Sequence, residues 1–147
     1  MQQRILFATL IIAAVALGVF ADGQEKAKKA NAASTLAGTW QAIEAELGGK
    51  PFPADTVRSI KLILSAHDYQ VGNDFGTYEF DPTATPAAMT IRGTKGPNEG
   101  KTILAIYELS GDTLRICYDL TGQKRPTAFA TEAGTRQFLV RYKESKQ

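Results

Sequence analysis

The chain has 147 residues and little of what chemical sites are commonly built from: one cysteine, one histidine and one tryptophan. A lone cysteine, Cys117, excludes an intramolecular disulfide, so stability must come from the core. A lone histidine, His67, with no second histidine or cysteine to join it, excludes a soft metal site. Charge of neither sign is in excess: Lys and Arg number 17 against 15 Asp and Glu, and 16 against 15 once Arg4 leaves with the leader described below. That balance implies neither nucleic acid nor an anionic membrane surface as a partner. Repeats of solenoid length are missing, as are low-complexity tracts beyond a short spacer. No G-x-S-x-G elbow supplies a hydrolase nucleophile. The glycine-rich stretch Gly93 to Gly100 precedes Lys101-Thr102, but three residues, not four, separate Gly96 from Gly100. A strand follows where a phosphate loop needs a helix. The expectation is a protein that binds without catalysing and holds no cofactor or metal.

What is there begins with Met1 to Ala21: Arg4, an apolar run from Ile5 to Phe20, and Val19 and Ala21 at the small-residue positions. This is a secretory signal pattern cleaved between Ala21 and Asp22, with a secreted or periplasmic destination and no membrane association after cleavage. The other reading is an uncleaved anchor, although the run falls short of the roughly 20 residues a spanning helix needs. Residues 22–35, charged and Ala-rich with nothing large to bury, read as a disordered spacer with at most a transient helix. Residues 36–147 form the domain, long enough to bury about two thirds of its unfolded surface in one barrel or sandwich.

Short strands spaced by turns at intervals of about ten residues argue an antiparallel meander. Leu36 to Leu47 carries mixed helix and strand propensity, and Gly38 with the following Gly48-Gly49 turn favours a strand. Gly49 to Pro53 is a loop, and Ala54 to Ser59 a single helical turn with Asp55 near its start. Ile60 to Ala66, Tyr69 to Val71, Thr77 to Phe80, Ala88 to Arg92 and Gln137 to Lys143 read as further strands by their period of two. Asn73 to Gly76 reads as a turn, and Leu120 to Thr135 as a long loop around Phe129.

The most informative stretch is Gly100 to Asp119. Gly111-Asp112 lies between two runs rich in β-branched and aromatic residues, which is a two-residue hairpin signal. Ser110 then faces Thr113, Leu109 meets Leu114, Tyr107 meets Ile116, Ala105 meets Tyr118, and Ile103 meets Leu120. The opposite face pairs Glu108 with Arg115 and Ile106 with Cys117. A one-residue slip would mix an apolar face with a charged one, so the register is specified.

About eight strands that close on one another would remove the edges so many short strands otherwise expose. The fold class expected is all-β, an up-and-down barrel. Gly38-Thr39-Trp40 resembles the G-x-W of lipocalins, whose tryptophan plugs the closed end of an eight-stranded barrel beneath a basic residue of the last strand. The longer pattern GTWQ, GGKPFP, GPNEGKTILAIYELSGDTLRICYD and KRPTAF resembles a lipocalin-like family of exported proteins of planctomycete type. The resemblance spans Leu36 to about Lys143. It implies a lipocalin-like barrel and export, gives Trp40 and Gly38 structural roles with Arg141 as the basic residue, and carries no catalytic residues.

Aromatic residues offer the remaining chemistry. Tyr107, Tyr118 and Ile116 share the apolar hairpin face, and Phe80 and Phe138 join them inside a barrel. They either wall a small apolar ligand, with tyrosine hydroxyls orienting it, or simply fill the core. Arg125 either grips a carboxylate at the barrel mouth or braces its loop on the wall. His67 beside Asp68, and the carboxylates Asp68, Asp74, Glu79 and Asp81, read as solvated turn residues. The leading expectation is a carrier of a small apolar or amphipathic molecule at the open end. The alternative is a filled barrel whose loops, Gly48 to Pro53, Gly93 to Gly100 and Leu120 to Thr135, bind another exported protein or an envelope component.

Overall fold

The computed structural model describes residues 22–27 and 36–146. The expected leader and most of the spacer lie outside the described residues; residues 22–27 are helical. Nine strands follow: β1 (Gly38–Leu47), β2 (Lys50–Pro51), β3 (Lys61–Leu64), β4 (Asp68–Val71), β5 (Asp74–Asp81), β6 (Ala88–Lys95), β7 (Thr102–Ser110), β8 (Thr113–Asp119) and β9 (Gln137–Glu144). One helix, α1 (Ala54–Ser59), sits between β2 and β3. From β3 onward each strand pairs antiparallel with the next, β1 pairs with β3, and β1 with β9 closes the ring. The result is a closed eight-stranded antiparallel barrel with β2 as a short ninth strand on the end of β1. Among the described residues no helix is long and apolar enough to cross a membrane.

The β7–β8 hairpin has the pairing its sequence dictates from Ser110↔Thr113 to Ala105↔Tyr118. It departs only at the far end, where the ladder stops at Leu104↔Asp119 instead of continuing to Ile103 and Leu120. The cause is Asp119. Its carboxylate accepts bonds from Thr121 N, Gln123 N and Lys124 N, which turns the chain out of the strand, and Leu120 N donates instead to Arg136 O at 3.2 Å. Burial pushes the Asp119 carboxyl up, but these bonds outweigh it and hold the group below its ordinary value.

Two other strands differ from a strict alternation. In β1 the register with β9 shifts between Ala42 and Glu44, a bulge that turns Ile43 outward and keeps both Ala42 and Ala45 buried. In β5 the strand starts at Asp74, because Phe75 and Gly76 already pair with β4 and β6 where a turn is expected.

One end of the barrel, where β1 begins, is filled. Trp40 is buried there and its Nε1 donates to Leu36 O at 2.9 Å, so the residue just outside the strand folds back over the ring. Tyr107 is buried nearby, and Phe80 packs its ring 5.9 Å from that of Tyr78. Gly38 opens β1 with φ +153°, a backbone setting L side chains rarely adopt, which gives this glycine its structural role. Arg141 does not cover Trp40. Val140 and Tyr142 are buried, so strand alternation sends Arg141 outward, where Nη1 pairs with Glu44 Oε2 at 3.3 Å.

Candidate functional site

Toward the opposite end, where β1 finishes and β3 begins, the barrel is not filled. A cavity of about 180 Å³ reaches inward from this mouth. Ile60, Leu120 and Phe138 stand at its entrance, Leu62, Ile91, Ile103 and Ile116 form its walls, and Leu64, Tyr78 and Met89 form its floor. Phe138 is held between Phe52, 5.5 Å away, and Tyr118, 5.8 Å away, so the loop before α1 closes one side of the entrance.

Polar atoms in this lining are few and accounted for. Tyr118 and Tyr142 oppose their hydroxyls at 3.2 Å. One proton serves that bond, which leaves the second hydroxyl proton free to donate. Burial pushes the Tyr142 phenol up to about 12, against a lowering by the Tyr118 bond, and holds Tyr118 well above its ordinary value, with Tyr142 adding to the rise. Both remain neutral donors at physiological pH. Tyr78 donates to Ser65 O at 2.6 Å.

Nearer the mouth, Asp74 accepts from Tyr69 Oη at 3.2 Å and Asn98 Nδ2 at 2.7 Å on one oxygen, and from Asn98 N at 3.2 Å on the other. Asn98 reaches it because residues 96–101 fold back on themselves, with Glu99 N on Gly96 O at 3.1 Å and Lys101 N on Asn98 O at 2.9 Å. Gly96 makes that fold possible: its φ is +92°, and a Cβ there would stand 2.3 Å from Asn73 O. The glycine-rich stretch therefore brings a side-chain amide to a carboxylate.

The sequence-derived residues divide. Tyr118 and Ile116 line the cavity, with Phe138 beside them. Tyr107 and Phe80 do not; they belong to the filled end. Arg125 is not at the mouth. Nη1 donates to Met89 O at 2.6 Å and Ala105 O at 2.7 Å, and Nη2 donates to Thr90 Oγ1 at 2.9 Å, which straps the 120–136 segment to the outer wall of β6 and β7. His67 is an exposed turn residue as expected, and Asp68, also exposed, is the first residue of β4 and not part of the turn. Asp74 corrects the reading of the carboxylates as solvated: it is buried, 9% exposed. Tyr69, Asp74, Tyr78, Asn98 and Tyr142 are the polar lining residues that sequence reasoning missed. The one available signal was Asp74 directly before Phe75 in a strand-length run. No group of three His, Cys, Asp or Glu able to hold a metal ion occurs among the described residues.

Tyr107 provides a test of which end is core. Its phenol is pushed up to about 12, mainly by burial and then by Asp81 and Tyr78, and its hydroxyl has no hydrogen-bond partner among the described residues. A buried hydroxyl without a partner costs about 1–3 kcal/mol. Tyr107→Phe is therefore expected to leave stability unchanged or raise it by up to about 1 kcal/mol in urea unfolding. A loss above about 1 kcal/mol would show that the hydroxyl has a partner.

No protein-family model, curated protein or solved structure matches this chain.

Proposed function

We propose that the chain is an exported, lipocalin-like carrier that holds one small apolar or amphipathic molecule in the cavity beneath the barrel mouth. The observation that carries this reading is the 180 Å³ of space inside a barrel whose other end is packed. Protein interiors are close-packed, and voids larger than a water molecule are few. A dry cavity of about 150 Å³ lined by aliphatic and aromatic side chains is enough to bind a benzene-sized molecule. Export rests on the leader pattern of residues 1–21, and the lipocalin likeness on the GTWQ start with its buried tryptophan.

Native mass spectrometry of the protein purified from its own export compartment, followed by organic extraction, tests the reading. The expected result is one small molecule per chain, released on denaturation. A bare chain that also fails to take up benzene or indole at millimolar concentration would sink it. Weight would then pass to a barrel that binds a protein or envelope partner. The loops to search for that partner meet one another: Gly49 N donates to Thr131 Oγ1 at 2.8 Å, joining the segment after β1 to the 120–136 segment.

A further inference from the structure

The cavity contains one acidic residue and no basic one, and the sign of that group restricts what can enter. Among the described residues Asp74 is the only acidic or basic side chain in the lining. It is 9% exposed, and its three hydrogen-bond donors, the Tyr69 hydroxyl and the Asn98 side-chain and backbone N–H groups, are all neutral. Among the described residues no lysine or arginine forms an ion pair with it, although five such pairs decorate the outer surface. Buried carboxylates are ordinarily paired with a cation or a metal, because neutral donors only partly replace the water that was lost. One Asp74 oxygen accepts two bonds and the other accepts one, so acceptor capacity remains.

We infer that the ligand is a small primary amine: an ammonium group that donates to the Asp74 carboxylate, carried on an apolar body about the size of one ring and a short chain. The inference rests on the carrier reading above and narrows its ligand class. The body fits the aliphatic walls of Leu62, Ile91 and Ile116, which stand in the same lining as Asp74. A charge-assisted bond to a carboxylate is roughly twice as strong as a neutral one. Fatty acids and other carboxylates are disfavoured, because their charge would enter beside Asp74 with no basic side chain to receive it.

Three probes of nearly equal size separate the possibilities by calorimetric titration of the exported protein after any resident molecule has been removed by unfolding, dialysis and refolding: 2-phenylethylamine, 2-phenylethanol and phenylacetate. The amine is expected to bind at least tenfold more tightly than the alcohol, and phenylacetate not at all. Asp74→Asn keeps the shape of the side chain and is expected to erase the preference for amine while the alcohol still binds. Equal affinity for amine and alcohol would overturn the inference while leaving the carrier reading intact. So would phenylacetate binding as tight as the amine. Failure of all three probes, the neutral alcohol included, would overturn both.

Discussion

Trp40→Ala is expected to lower the free energy of unfolding by about 3–5 kcal/mol, the range for truncating a buried large aromatic residue. Trp40 is 1% exposed at the filled end, between the ring of strands and Leu36. Its removal opens a void that the neighbouring backbone cannot close, because β1 pairs with β3 on one side and β9 on the other along this part of its length. It also leaves Leu36 O without the indole donor. Trp40 is the only tryptophan, so unfolding in the variant must be followed by far-ultraviolet circular dichroism. A variant within about 1 kcal/mol of the parent would show that the first strand does not plug the barrel.

Arg125→Met, which keeps most of the side-chain length and removes every donor, is expected to cost about 2–4 kcal/mol, since hydrogen bonds to charged groups contribute roughly 1.5–3 kcal/mol each and do not add fully. The two carbonyls it bridges, Met89 O and Ala105 O, belong to residues directly opposite each other on β6 and β7. Without the guanidinium the 120–136 segment loses its anchor on that wall. The same segment lies over Cys117, whose thiol donates to Ala130 O at 3.5 Å, and sets Phe129 4.0 Å from the Arg115 guanidinium. Burial pushes the Cys117 thiol up, only partly offset by the Ala130 bond, so the parent is expected to react slowly with thiol reagents. In Arg125→Met the rate of Cys117 alkylation under native conditions is expected to rise at least tenfold. An unchanged rate together with unchanged stability would mean that the segment is held by other contacts, such as the bonds at Asp119.

Both variants act on features of different legibility. Trp40 stands in a short motif at the start of a strand, and its burial is readable from the residues beside it. Arg125 is readable only as a choice between a mouth residue and a brace, because a guanidinium six residues past a strand end can reach either. The structure decides for the brace, since the carbonyls it meets come from strands 20 and 36 residues earlier in the chain. Arg141 shows the opposite failure. The family resemblance put it over the tryptophan, while the simple alternation of Val140, Arg141 and Tyr142 already turned it outward.

The sequence by itself determined the hairpin of β7 and β8, the helical turn at Ala54–Ser59, the strand at the chain's end and the all-β class, because each depends on residues close along the chain or on a period of two. It left the aromatic residues open between ligand wall and filler, and it misplaced Asp74 in a solvated turn. Only the tertiary structure decided which of those residues sit at the packed end and which beside the cavity, and that Asp74 is buried. Whether the barrel is packed or hollow depends on how side-chain volumes from eight strands sum at each level. Here Trp40, Leu36, Tyr107 and Phe80 fill one end, while the aliphatic side chains toward the other fall short by about 180 Å³. The burial of Asp74 likewise depends on Asn98, 24 residues away, folding back to meet it.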